Sequence, residues 1–129
     1  MKRYVVNEAE GIKGELPGAD KGGRFNILID RETSGAQYFS LLVNEMSPGY
    51  KGKEHSHEVE HCWYILKGNG TIRMGGKTYP IKPGDAVFAP IGMRHTVECT
   101  GDEPLRYVVV YAPQGPETEL KKQTGFAKK

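Results

Sequence analysis

Hydrophobic positions along this chain fall in short runs rich in β-branched and aromatic residues. Arg24–Ile29, Gln37–Met46, Cys62–Leu66, Thr71–Met74, Ala86–Ala89 and Leu105–Tyr111 each read as a strand. Turn formers separate them: Ser47-Pro48-Gly49, Gly68-Asn69-Gly70, Lys82-Pro83-Gly84, Pro90-Ile91-Gly92 and Gly101-Asp102. Gly75-Gly76 between TIRM and KTYPI predicts a two-residue hairpin. Punctuation at intervals of about 8 to 12 residues, with no long helical period, predicts an all-β sandwich or barrel. Closure of the sheet would also remove exposed edges. Asn7–Gly23 reads as an irregular lead-in, and the stretch from Pro113 to Lys129 as a polar tail. Within that tail Pro116 can start one short helix over ETELKK. The final lysines are expected to be solvated or frayed.

A length of 129 residues predicts one domain, 1–129. Such a domain buries roughly two-thirds of its unfolded surface, enough for a core without disulfides. Cys62 and Cys99 lie in strand-like runs and are expected to be reduced. The 18 basic and 16 acidic side chains nearly cancel, which argues against nucleic acid as a partner. Apolar runs of about six residues are far short of a membrane span, and no basic leader precedes an apolar stretch. The expected setting is cytoplasmic, without membrane contact.

Chemistry concentrates in four histidines. His55, His57 and His61 lie close together, and His95 stands 34 residues later. The first three are fenced as Gly49-x5-His55-x-His57-x3-His61-x6-Gly68, the last as Gly84-x5-Pro90-x-Gly92-x2-His95. On a strand, an i, i+2 pair points both imidazoles to one face. His61 is then expected to begin the next strand, with Trp63 and Ile65 on its face, and His95 a later one, with Val97 and Cys99. Imidazole is the commonest protein ligand for a transition metal, so the set predicts a four-ligand site inside a small barrel.

These spacings resemble the cupin superfamily. Its first motif, Gly-x5-His-x-His-x3,4-Glu-x6-Gly, is matched from Gly49 to Gly68, with His61 at the glutamate position. Its second, Gly-x5-Pro-x-Gly-x2-His-x3-Asn, is matched at Gly84, Pro90, Gly92 and His95, with Cys99 at the asparagine. The resemblance implies a double-stranded β-helix, the jelly-roll cupin barrel, with a metal-binding core over about 36–112. It also implies one divalent transition metal (Fe, Mn, Zn, Ni or Cu) on His55, His57, His61 and His95. The apolar outer face of Cys62, Tyr64 and Leu66 is expected to be covered, as in a homodimer.

Four neutral imidazoles leave the full charge on the metal and make it a stronger Lewis acid. The ligand set predicts an enzyme for a small oxygenated molecule, foremost a dioxygenase-type oxidoreductase. A non-redox isomerase, epimerase or lyase is the alternative, and a metal-dependent binding or sensor protein the third reading. Trp63, Ile65, Phe88 and Val97 are the expected pocket residues, while Ile72 and Met74 read as core. Arg24, Gln37, Tyr38, Tyr107 and Tyr111 are candidate polar contacts, their facing open until register is known. Glu54, Glu58, Glu60 and Glu98 lie near the histidines and read mainly as solvated charges, though each can accept from a ligand ring. Cys99 is expected to face inward as a small filler.

Overall fold

Along Leu105–Ala112 every second side chain is buried, and that alternation sets the layers. The computed structural model describes residues 2–17 and 22–124; the final lysines lie outside them. The strands are β1 (Ile12–Glu15), β2 (Gly23–Ile29), β3 (Ser40–Met46), β4 (Glu60–Lys67), β5 (Gly70–Met74), β6 (Lys77–Ile81), β7 (Ala86–Ala89), β8 (His95–Cys99) and β9 (Leu105–Ala112). One sheet runs β1-β2-β3-β9-β4-β7 and the other β6-β5-β8, all antiparallel. Their inner faces enclose a core that includes Phe25, Ile27, Leu42, Ile65, Ile72, Leu105 and Val109. This is the expected all-β jelly roll.

Gly75 and Gly76 have φ of 60° and 81° and close the β5–β6 hairpin with Met74 opposite Lys77. Both positions need positive φ, which glycine adopts without a Cβ clash. Pro80 lies on β6, at the edge of its sheet, where a missing N–H costs least.

Three expectations change. The lead-in is not wholly irregular, because Ile12–Glu15 pairs with Arg24–Ile27 as β1. Four residues with a central glycine carry too weak a local signal; the free edge of β2 decides. His55 and His57 do not project from one strand. They sit in the connection before β4, where His55 makes a single bridge to His95. Glycines 49 and 52 break the run into turns rather than a ladder. The tail is also more than polar. Helix α2 (Pro116–Thr124) starts at the expected proline, but Leu120 joins the core, and Glu117 and Lys121 are buried.

Those two charges anchor α2 to the barrel. Ser40 Oγ donates to Glu117 Oε1 at 2.8 Å. Lys121 Nζ reaches Asp30 Oδ2 at 2.6 Å and Glu32 Oε1 at 2.7 Å. Asp30 also caps the one-turn helix α1 (Arg31–Ser34), accepting from Thr33 N at 2.8 Å. Burial would raise the Asp30 carboxyl, but hydrogen bonds from Lys121 and Thr33 outweigh it and hold it below 3.8. The Lys121→Met variant keeps the stem and strands Asp30 without its cation. We expect a loss of about 3 kcal/mol in urea unfolding, since breaking a buried pair leaves a charge uncompensated. An unchanged midpoint would show that this contact does not hold the helix.

Candidate metal centre and its cavity

The histidine rings converge because one loop is tied to one strand. His55 N donates to His95 O at 3.0 Å, and His95 N returns a bond to His55 O at 2.8 Å. Gly92 N donates to His57 O at 2.8 Å and fixes the next turn. The ligand atoms of His55, His57 and His95 lie within 4.8 Å of one another. His61 is outside that set, so the structure brings three of the four expected donors to one point. Its ring is nonetheless adjacent, with centroids 5.2 Å from His95 and 5.3 Å from His57. It packs on Trp63 at 3.9 Å and on Tyr111 at 4.4 Å, its neighbour across β4 and β9.

The tautomers follow from the hydrogen bonds. His55 Nδ1 donates to the carbonyl of Lys53 at 2.6 Å, and His95 Nδ1 to that of Met93 at 3.0 Å. A carbonyl only accepts, so each Nδ1 carries the proton and each Nε2 keeps its lone pair. Main-chain carbonyls thus orient these ligands, and not the neighbouring glutamates. Glu54 faces Arg94 at 3.3 Å, Glu98 faces Lys51 at 3.7 Å, and Glu58 and Glu60 are exposed.

Nε2 of His57 and His95 and both ring nitrogens of His61 are buried with no partner among the described residues. Burial, reinforced by the neighbouring imidazoles, pushes His57 and His95 down to about 4 and His61 to about 2. For His95 the Met93 carbonyl opposes this. The desolvated, neutral Nε2 atoms of His57 and His95, clustered with His55, fit a divalent transition metal, with imidazole favouring Fe, Cu, Ni or Zn.

The cluster opens into a cavity of about 320 Å³. Trp63 and Val97 line it, with Tyr107 and Tyr111 from β9. Ile65 is 1% exposed and packs in the core instead. Phe88 is 53% exposed, because β7 turns Val87 and Ala89 inward and Phe88 outward opposite Cys62. Arg24 pairs with Glu45 on the surface, and Gln37 and Tyr38 are exposed before β3. Cys99 and Ile72 are core, and Met74 is half-buried against it. Asn44, Met46, Tyr50 and Leu120 also line the cavity, beyond the residues expected from sequence. The alternation Ser40, Leu42, Asn44, Met46 already marked Asn44 as inward; the others depend on tertiary placement.

A β-barrel of this topology, with three histidines placed where they could hold a metal, is the cupin arrangement. Residues 42–111 match the family Cupin_2, described as a cupin domain, and the chain belongs to that family. It is 39% identical over 108 residues to the oxalate-binding protein of Thermotoga maritima, covering 81% of this chain and 82% of that one. It is 30% identical over 121 residues to the polyketide synthase CurC of Streptomyces cyaneus, covering 93% and 76%. Among solved structures, the polyketide cyclase RemF of Streptomyces resistomycificus superposes with a TM-score of 0.74 at 32% identity, covering 88% and 80%. The protein is therefore a cupin-type enzyme or binding protein for a small molecule. Among the described residues no helix is long and apolar enough to cross a membrane.

The depressed imidazoles give a pH prediction for the metal-free protein. The unfolded chain takes up these protons near pH 6.5, the folded chain only near pH 4 at His57 and His95. Between those values the unfolded state binds more protons, so stability falls as pH is lowered through this window. The urea midpoint should drop between pH 7 and pH 4.5, and replacing His95 by Gln should flatten that slope.

Proposed function

We propose that this cupin is a metal-dependent enzyme acting on an enolisable, oxygenated, largely apolar organic molecule by non-redox proton transfer or ring closure. The carrying observation is the cavity, with unpaired imidazole nitrogens at one end and aromatic and aliphatic walls beyond. Likeness to a polyketide synthase component and a polyketide cyclase supports the same substrate chemistry. His55, His57 and His95 hold the metal in this reading, with His61 as fourth ligand, its two bare nitrogens supporting that role. A metal held by these histidines would supply Lewis acidity toward a carbonyl oxygen of the substrate.

Tyr111 supplies a hydroxyl at this end of the cavity, its ring 4.4 Å from that of His61 and 5.4 Å from that of His57. Burial raises its pKa well above the ordinary phenol value, so it stays protonated and donates to a substrate oxygen. Trp63, Val97 and Met46 exclude water and favour a flat apolar body. A dioxygenase is the narrower oxidative reading of the same ligand set. A binding role for a small dicarboxylate takes its support from the oxalate-binding relative. The cavity wall favours it less, since Lys53 is the single Lys or Arg among the described lining residues.

Turnover of a β-polyketone panel by zinc-loaded protein under argon tests the proposal. We expect product without dioxygen, and Tyr111→Phe to lower kcat about 100-fold while zinc uptake is unchanged. Turnover that needs dioxygen would move the assignment to the oxygenase reading. Binding of every ligand without conversion would leave a carrier.

The outer sheet face supports a homodimer in this proposal. Tyr64, Leu66 and Phe88 are 48%, 42% and 53% exposed on β4 and β7, a wide apolar surface for a lone domain. Sedimentation should give a dimer, and Tyr64→Lys should shift it toward monomer. The two free thiols, Cys62 and Cys99, suit a reducing, cytoplasmic setting.

A further inference from the structure

The cavity has a second polar pole, far from the histidines. Ladder pairs place His61 opposite Tyr111, Trp63 opposite Val109 and Ile65 opposite Tyr107. Tyr107 in turn faces Asn44 on β3. Tyr111 and Tyr107 stand four positions apart on β9, about 13 Å of strand. Both Asn44 and Tyr107 line the cavity, and both are buried, at 4% and 2% exposure.

Asn44 faces Tyr107 across the β3–β9 ladder, and its amide acts on the Tyr107 hydroxyl. Its Oδ1 is buried with no partner among the described residues. A desolvated amide oxygen without a donor is costly and rare in native interiors. Its neighbours along the same inward row are Leu42 and Met46, so an aliphatic residue would continue the wall without that cost.

We infer that Asn44, paired with Tyr107 across the ladder, is a specificity-determining subsite whose Oδ1 accepts a hydrogen bond from a hydroxyl at the end of the ligand remote from the metal. The inference rests on the reading of the histidine end as the chelating end. It narrows the substrate class to elongated molecules with a chelating keto-enol pair at one end and a hydroxyl at the other. A compact dicarboxylate would occupy the histidine end alone.

Matched probes test this. The chain's one tryptophan, Trp63, lines the cavity, so its quenching reports binding. The probes are 1-hydroxy-2-acetonaphthone and its 6-hydroxy and 6-methoxy derivatives, titrated into zinc-loaded protein. The 6-hydroxy compound should bind about tenfold tighter than the parent, the scale of one hydrogen bond. The 6-methoxy compound, which lacks the donor, should gain nothing. Asn44→Leu should erase the preference and leave oxalate affinity unchanged. Asn44→Asp keeps an acceptor and should keep the preference, which guards against a folding defect in the leucine variant. Equal binding of parent and 6-hydroxy compounds by the wild type would overturn the inference, as would a methoxy gain equal to the hydroxyl gain. So would a preference that survives in Asn44→Leu. Zinc that raises the affinity of no probe removes the chelation reading instead. The hydroxyl preference is then read in metal-free protein, so the two failures stay distinct.

Discussion

Reciprocal main-chain hydrogen bonds between His55 and His95, at 3.0 and 2.8 Å, are the constraint on which the site depends. They join the loop after β3 to the first residue of β8, and so bring side chains from two motifs to one place. The Nδ1 bonds to Lys53 and Met93 then turn the rings so that the lone pairs meet. Each is made to a carbonyl two residues back, so ring orientation is set locally once the loop is seated. Buried neutral imidazoles whose Nε2 lone pairs have no partner among the described residues are unfavourable without a cation and favourable around one. The same desolvation that lowers their pKa values readies them for metal at neutral pH.

The second level is the wall. Alternation on β3, β4 and β9 sends Asn44, Trp63, Tyr107 and Tyr111 into the cavity, and Leu120 on α2 adds to the lining. The helix is held by a buried lysine between two carboxylates and by Glu117 on Ser40. Cavity shape therefore depends on buried charges, one of which, Glu117, also acts on Tyr111. Rigid packing of β9 at the centre of the six-stranded sheet gives the two polar poles a fixed separation, which sets the length of ligand that can touch both.

Strand boundaries were legible wherever turn residues bracketed an apolar run: Ala86–Ala89 and the Gly75-Gly76 hairpin lie where the pattern put them. The weak segments were not. Ile12–Glu15 becomes a strand only because β2 offers an edge, and the lining role of Leu120 requires α2 to dock. Phe88 shows the same limit at one position, since a four-residue strand has two possible facings and only its pairing with β4 selects one.

Local chemistry along the chain determined the all-β class, the glycine-fenced histidines and their suitability for metal, because these follow from period-2 alternation, turn geometry and imidazole basicity. Tertiary structure decided what local pattern does not encode. It put His55 and His57 on a loop, drew His95 to them while leaving His61 a step outside, and gave the ligand rings carbonyl partners in place of glutamates. It also buried Asn44 Oδ1 with no partner among the described residues. Each of these depends on which backbone groups meet across strands far apart in sequence, and that is fixed only when the sheets close.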